Sequence, residues 1–195
     1  MAANAPTALL VEDERQIRRF VRTALETEGW QIVEAEKKRA VEILRQAAEF
    51  AKAANLMLAI EYLNRFECYF LTTAADAAAL VKSVNHPNFG CMYDTFHAHI
   101  EEKNVAKAVA TVAPYMKHVH ISENDRGTPG RGHAKIRETI QSLKAKGYDG
   151  WLTIEAFGKA LPELAAATRV WRDFFASPEE VYAEGYRYVR ECWES

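Results

Sequence analysis

Four short apolar runs, LMLAIE, GCMYD, HVH and WLTIE, end in side chains that can hold a metal or move a proton: Glu61, Asp94, His120 and Glu155. Parallel α/β sheets build their sites from residues at the C-terminal ends of strands, so this placement constrains the fold more than any other feature of the chain. The four lie 33, 26 and 35 residues apart. Each interval has room for one crossover helix and the next strand, and the four side chains then meet at one end of a parallel sheet.

Apolar periodicity and punctuation extend the pattern along the whole chain. Strands are expected at about 8–12, 31–35, 56–61, 90–94, 117–121 and 150–155. Helices are expected at about 14–28, 37–54, 73–84, 103–113 and 134–146, with two more at about 160–175 and 178–193. In the second helix Val41, Leu44, Ala48 and Ala51 fall on one face. Before the last, Ser177 can cap and Pro178 fits the first turn.

A hydrophobic share of 49%, a charged share of 27% and a net charge of −2 describe a globular chain with no bias toward nucleic acid. No apolar run is long enough to cross a bilayer, and the first residues lack a signal-peptide pattern, so a cytoplasmic protein is expected. Cys68, Cys91 and Cys192 have neither even number nor CxxC spacing and read as reduced structural thiols. Gly127, Gly130 and Gly132 lack the lysine and the spacing of a nucleotide-binding loop, so no organic cofactor is assigned. Three carboxylates and one imidazole suit a divalent ion that prefers oxygen, such as manganese, cobalt or magnesium.

From about residue 41 onward the chain resembles the second half of the ketose 3-epimerases, the D-tagatose/D-psicose and L-ribulose 3-epimerase group with its xylose-isomerase-like barrel. The matching stretches are EYLNRFE (61–67), MYDTFHA (92–98), HVHISENDRGTPGRGH (118–133) and GYDGWLTIEAFG (147–158). The resemblance implies a metal held by Glu61, Asp94, His120 and Glu155. It further implies that Glu61 and Glu155 remove and return the C3 proton of a ketose through an enediolate, on opposite faces of the sugar. Glu67, His97 and Arg126 match residues of that family that contact the substrate; otherwise Glu67 and Arg126 read as solvated loop charges and His97 as a helix cap.

Residues 7–36, which read ALLVEDERQIRRFVRTALETEGWQIVEAE from Ala8 to Glu36, resemble the opening of a response-regulator receiver domain of the OmpR/KdpE type, with Glu12 and Asp13 at its acidic pair. The combination reads as one composite domain over 1–195, receiver-like to residue 36 and epimerase-like from 37. The expected fold is an α/β open doubly wound parallel sheet of six strands in the order 2-1-3-4-5-6, a hybrid of flavodoxin-like and half-TIM-barrel patterns. A partial barrel is the alternative.

Three functions follow from these resemblances. The first is a designed chimera with a vestigial metal site and no turnover, because four strands about 4.8 Å apart in a flat sheet would spread the outer ligands by roughly 14 Å. The alternative is a manganese-dependent ketose 3-epimerase acting through Glu61 and Glu155. A receiver-like signalling module is the weakest, since the acceptor aspartate and the lysine of receivers have no counterpart. Expected partners are a ketose sugar and, for the aromatics between Trp171 and Trp193, either the protein's own core or a second copy; monomer and homodimer both remain open.

Overall fold

The computed structural model describes residues 7–11, 23–28, 31–35 and 37–195. Runs of apolar residues at a period of two become strands, and the stretches with period 3.6 become the helices between them. Strands β1 (Thr7–Val11) and β2 (Gln31–Ala35) pair in parallel from Thr7–Gln31 to Val11–Ala35, with α1 described between them over residues 23–27. Helix α2 (Lys37–Ala53) leads to β3 (Leu58–Glu61), and α3 (Ala74–Val84) leads to β4 (Phe89–Asp94). The short α4 (Thr95–Glu101) is additional to the helices expected from periodicity, and α5 (Val105–Val112) follows it before β5 (Met116–Ile121). Helix α6 (Ile136–Ala145), strand β6 (Leu152–Ile154), α7 (Pro162–Thr168) and α8 (Pro178–Glu194) complete the chain.

Strands β3 to β6 form a four-stranded parallel sheet in the order 3-4-5-6, while β1 and β2 form a sheet of their own. The expected six-stranded order 2-1-3-4-5-6 is therefore wrong, because no pairing joins β1 to β3 among the described residues. Alternation within a strand specifies its buried face but not its neighbour. The six-stranded order rests on the receiver resemblance alone.

The doubly wound expectation fails for a related reason. Cys91, Tyr93, Val119 and Ile121, whose side chains leave one face of the sheet, are all at 0% exposure. That face packs against α3, α5, α6 and α8, each of which touches the next in chain order. The crossovers that link β3 to β6 thus lie on one side, as in a barrel wall, and the other face carries the strand-end acids. The result is TIM-barrel-like, closer to the partial barrel than to a flavodoxin-like sheet.

Several local expectations fit. Ala48 and Ala51 of α2 are buried and Val41 and Leu44 pack against the core. The Ser177 side chain caps α8 by accepting from the Glu180 N–H at 3.3 Å. The helix expected at 160–175 is shorter: α7 stops at Thr168, where Arg169 takes a left-handed conformation at φ 59°. The aromatics beyond it divide, Tyr188 and Trp193 packing on the core while Trp171, Tyr182 and Tyr186 are exposed.

Candidate active site

Glu61 is the last residue of β3 and Asp94 the last of β4, His120 is the next to last of β5, and Glu155 directly follows β6. Parallel pairing aligns them: Asp94 is the register partner of His120, and the Glu155 N–H extends the ladder to the Ile121 carbonyl at 3.0 Å. Asp94 also caps α4, its Oδ1 accepting from the Phe96 N–H at 2.6 Å. That bond leaves Oδ2 free to face the site.

The acids converge on Asp94. Ligand atoms of Asp94, His120 and Glu155 lie within 4.8 Å of one another, and so do those of Glu61, Asp94 and His97. The separation expected of a flat sheet does not occur, because each outer glutamate reaches the same central carboxylate. Glu61 Oε1, Asp94 Oδ2 and His120 Nδ1 are shielded from solvent and have no hydrogen-bond partner among the described residues. Shielded polar atoms without partners are costly, and such atoms in two groups that share Asp94 fit a cation. The donor set is oxygen-rich with one imidazole and no thiolate, which suits manganese, cobalt or magnesium.

The second group does not compete with the first. The main-chain N–H of Asn64 donates to His97 Nδ1 at 3.0 Å, so the neutral ring carries its proton on Nε2. A protonated nitrogen cannot ligate. His97 is thus a hydrogen-bond donor beside the acids, 3.9 Å from Glu61 Oε1, leaving Glu61 and Asp94 as the members of its group able to ligate.

Charge sets the acids apart. Burial, then repulsion from Asp94 and Glu155, raises the Glu61 pKa to about 7. For Glu155 burial pulls the same way but is outweighed by His120 and the Arg126 guanidinium, and the net shift is downward. His120 Nδ1 lies 3.6 Å from Asp94 Oδ2 and 3.2 Å from Glu155 Oε1. Contact with those two carboxylates, Asp94 first, lifts the imidazole to about 10. The His97 ring, buried, is shifted down.

Arg126 closes the site from the loop after β5. Its Nη1 hydrogen-bonds Glu155 Oε2, and it stands 3.8 Å from Asp94 Oδ2 and 3.8 Å from Glu67 Oε1 through its two terminal nitrogens. The guanidinium lies over the Phe96 ring at 3.7 Å and near Phe157 at 4.9 Å. Arg126 is held at φ 64°, a conformation that costs a non-glycine residue about 1 to 3 kcal/mol. The loop imposes it: buried Glu123 accepts from the Gly130 N–H at 2.9 Å and the Ala134 N–H at 2.6 Å. Gly130 itself sits at φ 88° with its Cα against the Tyr188 ring, where a Cβ would lie 2.7 Å from the ring carbons. The glycine run is thus a tight connection, its Gly127 and Gly130 amides bonded to Asp125 and Glu123.

Every predicted site residue stands in this cluster, Glu67 at its rim on the loop after β3. Asn64, Phe96 and Phe157 join it without having been expected from the sequence. Each lies inside a stretch that carries the epimerase resemblance, between Glu61 and Glu67, beside His97, and two residues past Glu155. Apolar and amide side chains so close to strand-end acids are the signal that points to them. Glu12 and Asp13 fall outside the described residues.

A model of the xylose isomerase-like TIM barrel matches residues 15–192. The chain belongs to the xylose isomerase-like TIM barrel family. That match begins inside the segment read as receiver-like, and it gives no support to a receiver part or to a designed chimera. Within this barrel family the chain is 34% identical over 86% of its length to a probable ketose 3-epimerase of Synechocystis sp. (strain ATCC 27184 / PCC 6803 / Kazusa), covering 58% of that protein. It is 35% identical over 80% of its length to a D-psicose 3-epimerase of Ruminiclostridium cellulolyticum (strain ATCC 35319 / DSM 5812 / JCM 6584 / H10), covering 56% of it. The crystal structure of a D-psicose 3-epimerase with D-tagatose from Clostridium cellulolyticum H10 superimposes with a TM-score of 0.76 at 34% identity, over 82% of this chain and 57% of that one. The chain spans somewhat more than half the length of these barrel relatives.

Proposed function

We propose that this chain carries a ketose 3-epimerase site in which Glu61 and Glu155 exchange the C3 proton. The observation that carries the reading is the strand order 3-4-5-6, which sets the two glutamates on the outer strands with Asp94 and His120 between them. Inversion at a carbon needs one acid–base group on each face, and flanking carboxylates are what that requires. The names of the relatives give the substrate class, a ketohexose or ketopentose.

In the proposed reaction Glu155, held ionised by His120 and Arg126, takes the C3 proton. Glu61, poised near neutrality by burial and by its acidic neighbours, delivers a proton from the other side, and the roles reverse for the opposite epimer. His97 donates from Nε2 to a sugar oxygen, Arg126 covers the developing charge on the C2 oxygen, and Glu67 accepts from a hydroxyl. Glu61, Asp94, His120 and Glu155 would hold a divalent ion, manganese, cobalt or magnesium, whose part is to polarise the C2 carbonyl as a Lewis acid. Residues 1–195 are proposed to act as one domain.

The test is exchange of the C3 proton of D-tagatose, D-fructose or L-ribulose with deuterated water in the presence of manganese. Exchange at about 1 per second or faster, lost in Glu155→Gln, supports the reading. A rate indistinguishable from buffer would sink it.

A further inference from the structure

We infer that Asn64 is a positioning residue of this site: its main-chain N–H and its carboxamide together leave Nδ1 of His97 bare and the proton on Nε2, and the carboxamide selects which oxygen of Glu67 is left for the sugar. The identity of the sugar rests on the ketose reading above, whereas the chain of hydrogen bonds does not.

Asn64 is 1% exposed, on the loop that follows β3. The orientation of its amide is set from outside, since the Phe66 main-chain N–H donates to Oδ1 at 2.9 Å. The nitrogen end is therefore Nδ2, with two hydrogens to place. Glu67 Oε1 accepts from Nδ2 at 2.8 Å. His97 Nδ1 lies 2.9 Å from the same nitrogen and also receives the Asn64 main-chain N–H at 3.0 Å. Both neighbours of Nδ1 are donors, so Nδ1 is bare and Nε2 bears the hydrogen. Arg126 Nη2 stands 3.4 Å from Nε2, farther than either donor from Nδ1 and outside the usual hydrogen-bond range, so it does not reverse the assignment.

The consequence is a fixed polarity. His97 presents a donor from Nε2, next to Glu61 Oε1 at 3.9 Å, and Glu67, tied at Oε1, keeps Oε2 as an acceptor. A carbonyl oxygen can only accept and a hydroxyl can donate, so the pair distinguishes the C2 oxygen of a ketose from its hydroxyls. One buried asparagine, through its main chain and its carboxamide, sets both ends of that distinction.

The test uses the full-length chain, labelled with 15N and measured with magnesium present, by long-range proton–nitrogen correlation on the His97 ring. Wild type is expected to show a bare Nδ1 and a protonated Nε2. Asn64→Asp puts an acceptor where Nδ2 stood and a like charge beside Glu67. It is expected to place a proton on Nδ1 and to raise the KM for D-tagatose roughly tenfold or more, the scale of one lost hydrogen bond, with a smaller change in kcat. The manganese-induced rise in Tm is expected to stay at its wild-type value. Asn64→Ala keeps the main-chain donor, so it should retain a bare Nδ1 and raise KM through Glu67 alone. A protonated Nδ1 in the wild type overturns the inference, as does an Asn64→Asp protein with the wild-type ring spectrum and KM. Should Asn64→Asp fail to fold, the wild-type spectrum and Asn64→Ala still decide. Absence of C3 exchange in the wild type would remove the ketose reading, and the ring spectra would still judge Asn64.

Discussion

His120 Nδ1 lies 3.2 Å from Glu155 Oε1, closer than to Asp94 Oδ2 at 3.6 Å. The imidazole bridges the central and outer acids and is held as imidazolium by them, its pKa raised to about 10. In the proposed site His120 would ligate as the neutral ring, so cation binding and proton release would be linked.

Titration of the metal-free protein with manganese at pH 8 is therefore expected to release close to one proton, with His120 as its source. Calorimetry in two buffers of different ionisation enthalpy measures that number. Affinity is expected to rise with pH across the neutral range. Uptake of protons, or heats identical in both buffers, would contradict the ligand assignment.

Stability of the metal-free protein carries a second signature. The folded-state pKa of Glu61 is raised to about 7 by burial and by its acidic neighbours, above its ordinary value of 4.5. The protonated form is thus favoured by folding: its contribution is full below about 4.5 and is lost as pH rises through about 7. His120 acts with the same sign at higher pH, its contribution present below 6.5 and lost through about 10. Urea midpoints are expected to fall between pH 5 and pH 8, and Glu61→Gln should flatten the slope. A midpoint that rises over that interval in the wild type would refute the assignment.

Manganese should raise the melting temperature by binding only the folded state. Asp94→Ala combined with His120→Ala is expected to abolish the rise, since both residues belong to the group that shares one small volume. Arg131→Ala, whose ion pairs run to Glu180 and Glu184 on α8, is the control that should leave it intact. An undiminished rise in the double variant would place the ion elsewhere.

Arg126 is stacked over Phe96 at 3.7 Å and hydrogen-bonded to Glu155, so a lysine cannot replace it. Arg126→Lys is expected to lower kcat/KM about tenfold to a hundredfold, the scale of a charge-assisted hydrogen bond. Phe96→Leu should lower it less, by loosening the same guanidinium. Steady-state kinetics on D-tagatose checks both, and wild-type values for Arg126→Lys would show the guanidinium to be idle.

A single cooperative thermal transition is expected, since no Gly- or Pro-rich linker interrupts the chain. Differential scanning calorimetry showing two separate transitions would split the proposed domain.

Local chemistry is legible in the sequence because it is written at fixed spacing. A strand of four to six residues followed by a crossover helix places its last residue at a known end of a sheet, which is why the residue pattern alone groups Glu61, Asp94, His120 and Glu155. The cap of α8, the inward face of α2 and the role of the glycine loop follow from equally short-range rules. Strand neighbours are less legible: the expected pairing of β1 with β2 is found, but whether β1 also pairs with β3 depends on the packing of the whole chain, and among the described residues it does not. The same holds for the side on which helices collect, since a crossover helix is apolar on one stripe whichever face of the sheet it covers. Only the tertiary structure decided that those linking β3 to β6 lie on one face, leaving the acids on the other and within reach of Asp94. It alone decided protonation as well, because the positions of the His97 proton and the Glu61 charge depend on an amide, an arginine and two carboxylates brought together from separate loops and strands.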